Sequence, residues 1–119
     1  YRPTHAATGK IKKKDAALHL ELEPTEDILA WMGVHKPAGQ VLVGFALETD
    51  DAEAHARGKL ERKNLDLIVL NSLQDRGAGF GHDTNKVSLI GRDTKAEHLA
   101  LMTKAQAARA ILDRIETLL

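Results

Sequence analysis

The stretch VLVGFALETDDAEAHARGKLERKNLDLIVL, residues 41–70, decides the fold of this chain. Its two ends, residues 41–46 and 65–70, are short apolar runs of the kind that form buried parallel strands. Between them Thr49 predicts a helix N-terminus, and we expect the helix to run to about Lys63. A strand, a helix and a strand over this distance predict a right-handed βαβ unit whose sheet is buried on both faces.

The residues before this unit predict a loop, a strand and a short helix. Residues 1–17 lack periodicity and indicate a flexible loop. Leucine then alternates with polar residues over 18–22, which is the period of a half-buried strand. Thr25 is the predicted N-cap of a short helix, and Gly33 is the residue expected to close it.

The residues after the unit predict a glycine-rich loop, a hairpin and a final helix. Glycine recurs within residues 75–85, and residues 86–90 and 97–101 indicate two antiparallel strands. Thr103 with Gln106 fits a capping box. The final helix has one apolar face, formed by Ile111, Leu112, Ile115, Leu118 and Leu119. The fold class predicted is α/β: a Rossmann-like open sheet with mostly parallel strands, helices on both faces and a C-terminal antiparallel hairpin.

The composition restricts the function classes. The chain has 119 residues, and its 17 basic and 17 acidic residues balance, which argues against a nucleic-acid binder with a basic surface. It has no cysteine, so disulfides and thiolate sites are excluded. No apolar run approaches the length of a membrane span, and no signal peptide is visible, so we expect a cytoplasmic protein without membrane contacts. The chain does not start with methionine, so we expect a fragment or a processed product.

The sequence KIKKK at residues 10–14 is the first candidate for chemistry. Four lysines in five positions repel one another. A cluster of this kind in a protein without net charge is therefore most easily explained if it binds an anion. A mobile flap hinged at Gly9 would carry a lysine to a phosphate. The alternative is an ordinary solvated loop, and the pattern alone does not choose between the two.

Two further features point to an anionic ligand. Gly44 and Phe45 lie in a buried strand, near its carboxyl end, where open parallel sheets bind ligands. Lys59 and Lys63 are four residues apart, so they share a helix face and could hold an anion between them. The alternatives are ordinary core packing for the first pair and a solvated helix face for the second.

The predicted start of the first helix is a weaker candidate. Thr25, Glu26 and Asp27 are explained by helix capping, although free backbone N–H groups there could also meet an anion, and Asp27 could hold a ribose hydroxyl, an amine or a metal ion. The histidines are scattered without the spacing of a zinc site, and no phosphate-binding loop ending in Gly-Lys-Ser or Gly-Lys-Thr is present.

Taken together, these segments resemble one family. Its motifs match in order and spacing, and they are YRP at 1–3, KIKK at 10–13, PTEDIL at 24–29, VGFALET at 43–49, Lys59, KNLD at 63–66 and IVLN at 68–71. The chain resembles the carboxyl-terminal half of bacterial phosphopantothenate–cysteine ligase, also called phosphopantothenoylcysteine synthetase. The resemblance covers nearly the whole chain.

The resemblance implies a nucleotide-driven acyl activation. In that family CTP transfers its nucleotide to the carboxylate of 4′-phosphopantothenate, pyrophosphate leaves, and the amine of cysteine attacks the acyl-cytidylate. Mg²⁺ accompanies the triphosphate, while its protein ligands cannot be named. The family's essential flap lysine falls on Lys10. Its nucleotide contacts fall on Lys10, Thr25, Glu26, Asp27, Ile28, Phe45, Lys59 and Lys63.

The resemblance also implies what surrounds this segment. The chain would be a single domain or the C-terminal half of a larger ligase domain, divided into a lysine flap (1–17), a βαβαβ nucleotide-site region (18–72) and a hairpin with the terminal helix (85–119). The family's first half is missing, so this chain alone is expected to be inactive. A homodimer is implied, with the hairpin as the expected contact. A flavin-dependent decarboxylase, with FMN, would be fused upstream or separate.

A reading from a different class remains open at this point. The same scaffold could be a non-catalytic nucleotide-binding or assembly domain that uses its basic loop to engage an anionic partner. Nucleic-acid binding through the lysine run is disfavoured, because the run is short and has no interleaved aromatic residues.

Overall fold

A computed structural model describes residues 1–12, 17–72 and 81–119 of the chain. None of the helices in these ranges is long and apolar enough to cross a bilayer. The elements, in chain order, are β1 Arg2–Pro3, β2 Leu22–Glu23, α1 Ile28–Val34, β3 Val43–Glu48, α2 Ala52–Arg62, β4 Leu67–Ser72, β5 Thr84–Asn85, β6 Val87–Gly91, β7 Glu97–His98, β8 Met102–Thr103 and α3 Lys104–Glu116.

The central sheet of the described residues has the strand order β3-β4-β6-β7. β3 and β4 are parallel, with Val43 opposite Leu67 and Phe45 opposite Val69. β4 and β6 are antiparallel, and so are β6 and β7. The predicted α/β class is therefore confirmed, while the balance of strand directions differs from the mostly parallel sheet that we expected. The antiparallel strands come from the hairpin, which the chain places inside the same sheet.

Helices cover both faces of this sheet, as predicted. On one face Ala56 and Leu60 of α2 pack with Leu65 and Ile68, and Leu29 of α1 packs against the same cluster. On the other face α3 packs against a second cluster, which contains Leu67, Val69, Val87, Leu89 and Ala107. Because side chains alternate along a strand, neighbouring residues of β4 serve the two different cores.

The predicted βαβ unit is confirmed as β3, α2 and β4, and the helix ends where the sequence indicated. Lys63 is its C-cap residue. Its N-cap is Asp51 rather than Thr49, and Asp51 has a left-handed backbone (φ 43°) with no hydrogen bond from its side chain to the helix. The prediction therefore started the helix two residues too early.

The first helix also begins later than predicted. Its N-cap is Asp27, whose side chain accepts a hydrogen bond from the Ala30 N–H, and not Thr25. Gly33 does not close the helix either, because the helix continues to Val34. Gly33 is instead buried where α1 meets the end of α2, since a Cβ atom there would lie 1.9 Å from the carbonyl oxygen of Lys63.

The strand predicted over residues 18–22 is largely wrong. The structure has the two-residue strand β2, which pairs with β1 in a separate small sheet, and Leu18, Leu20 and Leu22 are exposed. Leucine does alternate with polar residues here, but none of the described residues forms a surface that buries the leucine side of this segment.

The carboxyl-terminal predictions are confirmed in part. β6 and β7 form the antiparallel hairpin, with Ser88 opposite His98, but β7 spans only Glu97–His98. Thr103 and Gln106 form the capping box that starts α3. Ile111 and Ile115 pack on the core, whereas Leu112, Leu118 and Leu119 of the predicted apolar face are exposed. Lys13, Lys14 and most of the glycine-rich loop, residues 73–80, lie outside the described residues.

Candidate functional site

Lys63 and Asp27 lie together in the structure. Lys63 is the C-cap residue of α2 and Asp27 is the N-cap residue of α1, and the Lys63 ammonium lies 2.8 Å from Asp27 Oδ2. The hydrogen bond from Lys63 and that from the Ala30 N–H hold the pKa of Asp27 below its ordinary value. Two residues that the resemblance assigned to the nucleotide are therefore neighbours, although they are far apart in sequence.

Lys59 lies one helical turn before Lys63 and binds a different carboxylate. Its ammonium forms an ion pair with Oε1 of Glu48, the last residue of β3. The other oxygen of Glu48, Oε2, lies 3.8 Å from His55 Nδ1. The Glu48 side chain is only 15% exposed. The two lysines thus share a face of α2, as the spacing predicted, but each is paired with its own acidic residue.

A polar network fixes the loop between α2 and β4, next to this pair of lysines. The Asp66 carboxylate accepts hydrogen bonds from the Lys36 ammonium at 2.8 Å and from the Leu42 N–H at 2.7 Å. Burial acts to raise the pKa of Asp66, but the hydrogen bonds from Lys36 and Leu42, together with the charges of Lys36 and Arg92, outweigh it and lower the pKa.

Asn64 joins the same loop to α1. Its backbone is left-handed (φ 51°), and its side-chain amide donates to the Gly33 carbonyl at 2.7 Å. Its amide oxygen accepts a hydrogen bond of 2.5 Å from Arg92. Because Asn64 follows Lys63 directly, this anchoring fixes the backbone from which Lys63 reaches Asp27.

Phe45 lies apart from the lysines. It is 72% exposed, and it points to the α3 face of the sheet, whereas Ala46 points to the α2 face. There it lines an open, mostly apolar groove of about 510 Å³ between the sheet and α3, beside Val43, Asn71 and Leu112. The side-chain oxygen of Asn71 is buried and has no hydrogen-bond partner among the residues that the structure describes. The structure does not bring Phe45 together with Lys59 and Lys63.

The amino-terminal segment is described up to residue 12. Thr4 donates its N–H to the Glu21 carbonyl at 3.0 Å, and Arg2 forms an ion pair with Glu23 at 2.7 Å, so β1 and β2 hold the base of the segment. Lys10 is exposed and makes no hydrogen bond or ion pair with the described residues. It is therefore available to a ligand.

The other predicted contacts are accessible. Thr25 and Glu26 are exposed, and Ile28 is exposed at the start of α1. These residues flank Asp27 in the chain at the exposed start of α1. A ligand that reaches Lys63 would therefore meet this segment without displacing core residues.

The described residues do not offer a dedicated cage for Mg²⁺. No group of three histidine or acidic side chains suited to a metal ion occurs in 1–12, 17–72 and 81–119. The carboxylates of Asp27 and Glu48 are each engaged by a lysine. Magnesium takes oxygen ligands and commonly binds through one or two carboxylates together with phosphate groups of a bound substrate, so these two carboxylates do not by themselves form a complete Mg²⁺ site.

Glu48 is the site residue that the sequence reasoning missed. The signal was present, because Glu48 ends a buried parallel strand at the edge where such sheets bind ligands. In the sequence-based prediction Glu48 appears only as a member of the VGFALET motif. Its pairing with Lys59 depends on how α2 packs against β3, which the local pattern does not specify.

Comparisons with known proteins identify the family. Residues 1–119 match the family described as the DNA/pantothenate metabolism flavoprotein C-terminal domain. The chain belongs to this family. The resemblance read from the sequence is thereby confirmed.

Individual relatives agree with this assignment. The chain is 45% identical over 118 residues to the coenzyme A biosynthesis bifunctional protein CoaBC of Bacillus subtilis (strain 168), covering 99% of this chain and 29% of that protein. It is 48% identical over 118 residues to a cysteine/cysteine sulfinic acid decarboxylase of an unknown prokaryotic organism, covering 99% of this chain and 33% of that protein.

A solved structure supports the fold. The crystal structure of the C-terminal domain of a coenzyme A biosynthesis bifunctional protein CoaBC matches with a TM-score of 0.70 and 44% identity. The match covers 82% of this chain and 46% of that one. The chain therefore spans about a third of the length of these curated relatives and just under half of this solved domain.

Proposed function

We propose that this chain is the nucleotide-binding part of a ligase of coenzyme A biosynthesis, which joins 4′-phosphopantothenate to cysteine. CTP would activate the pantothenate carboxylate, leaving pyrophosphate, and the cysteine amine would then displace CMP from the acyl-cytidylate. Family membership and the names of the CoaBC relatives support the pathway. The observation that carries the proposal is the Lys63–Asp27 contact, because it joins two separately predicted nucleotide contacts.

The roles of the side chains follow from charge and exposure. A triphosphate brings several negative charges, and lysine provides compact, mobile positive charges to meet them. Lys59 and Lys63 would bind the phosphates from α2, and the exposed segment of Thr25, Glu26, Asp27 and Ile28 would contact the nucleoside. Lys10, on the flap, would neutralise charge that develops during acyl transfer.

The remaining predicted contacts belong to the wider assembly. Phe45 would meet the nucleotide only across the free edge of β3, so its contribution should be smaller than that of the lysines. Mg²⁺ would come with CTP. In this proposal the whole enzyme binds 4′-phosphopantothenate and cysteine, forms a homodimer and acts in the cytoplasm. A flavin-dependent decarboxylase carrying FMN would be fused to it or separate.

Substitution of the two lysines tests the nucleotide site. We expect Lys59→Ala and Lys63→Ala each to weaken binding of magnesium-CTP by about tenfold, because each removes a charged contact. Isothermal titration calorimetry measures the affinity. Lys95→Ala is the matched control, since Lys95 is exposed on the turn between β6 and β7, across the sheet from β3. Equal affinities for all four proteins would contradict the proposed site.

Substitution of the flap lysine tests the catalytic role. In the full-length enzyme we expect Lys10→Gln to lower turnover by about 100-fold or more, as loss of a charge-stabilising group does. The melting temperature should stay unchanged, because Lys10 makes no contact with the described residues. Lys12→Gln is the control within the same run, and normal turnover of Lys10→Gln would refute the role.

The non-catalytic alternative makes a different prediction. A basic loop that engages an anionic partner protein would give salt-sensitive binding that does not respond to nucleotide. Measuring partner capture with and without magnesium-CTP separates this alternative from the ligase.

A further inference from the structure

Both lysines of the candidate site are already neutralised in the structure. Asp27 Oδ2 lies 2.8 Å from the Lys63 ammonium, and Glu48 Oε1 is paired with Lys59. A triphosphate would therefore approach two cations whose charge is locally balanced. It must either share each lysine with a carboxylate or take the place of that carboxylate.

Sharing is electrostatically unfavourable. A phosphate oxygen within contact distance of Lys63 would also lie close to the Asp27 carboxylate, and like charges a few ångströms apart repel. Asp27 can move away, since its side chain is 51% exposed. The Glu48 side chain is more enclosed, but Lys59 is the more exposed partner and can swing outward on its long stem.

These two pairs differ from the structural pair beside them. Asp66 uses its carboxylate to hold both Lys36 and the Leu42 N–H, so its removal would disturb the backbone of the sheet. The Oδ2 oxygen of Asp27 lies 2.8 Å from the Lys63 ammonium, while Oδ1 accepts the hydrogen bond from the Ala30 N–H that caps α1. The counter-ion and the capping function of Asp27 can therefore be separated experimentally.

We propose that Asp27 and Glu48 are resident counter-ions of Lys63 and Lys59, which a triphosphate displaces on binding and which thereby set the affinity of the site. The inference rests on the proposed function, because it assumes that these lysines meet phosphate. It gives the Asp27 carboxylate a different role from the nucleoside contact proposed above, and the two roles predict opposite effects on affinity. Removing a contact weakens binding, whereas removing a competing counter-ion strengthens it.

Neutral isosteres test the proposal. Asp27→Asn keeps an oxygen for the Ala30 N–H, and asparagine is as good an N-cap as aspartate. Glu48→Gln keeps the size of the side chain. We expect each variant to bind inorganic tripolyphosphate about two- to fivefold more tightly than the unsubstituted chain, from the size of partly exposed ion pairs. Magnesium-CTP should follow the same order.

A matched control lies on the same helix. Glu53 pairs with Arg57 at 2.9 Å within α2, so Glu53→Gln removes one negative charge and one ion pair outside the candidate site. Its affinity for tripolyphosphate should equal that of the unsubstituted chain. A gain in this control as large as that of Glu48→Gln would show that net charge alone is responsible, and it would overturn the proposal.

A second measurement reports the exchange directly. The ¹³C signal of the Asp27 carboxylate, followed by NMR, should titrate at a lowered pKa in the free chain and return towards its ordinary value of 3.8 when tripolyphosphate is added. If the titration of the Asp27 signal does not change at saturating tripolyphosphate, the proposed displacement of Asp27 is wrong.

The outcomes separate this inference from the proposed function. If Lys59→Ala and Lys63→Ala weaken binding while Asp27→Asn and Glu48→Gln also weaken it or leave it unchanged, the site stands and the counter-ion role is wrong. If only Asp27→Asn or Glu48→Gln binds tripolyphosphate, the result supports the proposal that these carboxylates block Lys63 and Lys59 in the unsubstituted chain. If no variant and no unsubstituted chain binds either probe, both ideas fail.

Discussion

At the scale of single residues, the sequence identified the cations of the site but not their partners. The spacing of Lys59 and Lys63 placed them on one face of α2, and the structure agrees. Their acidic partners come from β3 and from the start of α1, which tertiary packing brings together. Local periodicity carries no information about such long-range neighbours, so the pairing of Glu48 with Lys59 could not be predicted, although the position of Glu48 near the end of a buried strand was visible in the sequence.

The Asp66 network should control acid stability. The pKa of Asp66 is lowered from its ordinary value of 3.8, so its stabilising contribution is fully present above that pH and is lost as pH falls through the lowered value. At neutral pH we expect Asp66→Asn to reduce the free energy of unfolding by about 1–3 kcal/mol, because it leaves Lys36 without its counter-ion in a mostly buried position.

Urea unfolding as a function of pH measures this effect. The difference between the unsubstituted chain and Asp66→Asn should begin to narrow below about pH 3.8 and should disappear only below the lowered pKa of folded Asp66, where both proteins carry a neutral side chain at this position. Asp93→Asn is the control, because Asp93 is exposed and asparagine tolerates its left-handed backbone. A difference that stays constant down to pH 2 would contradict the ionic role of Asp66.

At the scale of elements, the predictions succeeded where a segment's own pattern determines its structure. The Thr103 capping box formed as predicted, and the buried strand predicted at residues 65–70 formed two residues later, as β4 at Leu67–Ser72. The start of α1 was misplaced because three consecutive polar residues can cap a helix, and the local pattern does not show that Asp27 is the one that accepts the hydrogen bond from the Ala30 N–H. The strand predicted at residues 18–22 was wrong because alternating leucines form a half-buried strand only where another surface covers them.

Gly33 should be required for the junction of α1 with α2. A Cβ atom there would lie 1.9 Å from the Lys63 carbonyl oxygen, so the two segments must move apart. We expect Gly33→Ala to lower the free energy of unfolding by about 2 kcal/mol despite the better helix propensity of alanine. The affinity for tripolyphosphate should fall as well, because Lys63 moves with its backbone.

Thermal unfolding and calorimetry of the same variant test both effects. Gly9→Ala is the control, because a Cβ atom at Gly9 would meet nothing within 4 Å. A Gly33→Ala protein with unchanged stability would show that α1 can shift freely, and Lys63 would then not depend on this packing.

At the scale of the whole molecule, the central sheet is open at one side. Within the described residues, β3 is an end strand of this sheet. Its register with β4 and the hydrogen bond accepted by the Leu42 carbonyl show that every second residue, beginning with Leu42, directs its backbone N–H and C=O groups towards β4. Val43, Phe45 and Leu47 therefore present their N–H and C=O groups outward. Phe45 and Leu47 are also exposed beside the apolar groove under α3. The sequence predicted a buried strand here, and within the described residues it is buried on one face only.

An open apolar edge predicts self-association of the isolated chain. Unpaired strand edges without charge template the addition of another strand, and lysine on the edge blocks it. We expect sedimentation equilibrium to show concentration-dependent association of the 119-residue chain, which Leu47→Lys reduces to monomer without lowering the melting temperature. Leu101→Lys is the matched comparison, because Leu101 is equally apolar, half exposed and within the hairpin region expected to form a homodimer contact. If Leu101→Lys dissociates the chain and Leu47→Lys does not, the hairpin is the contact and the edge of β3 has no part in self-association.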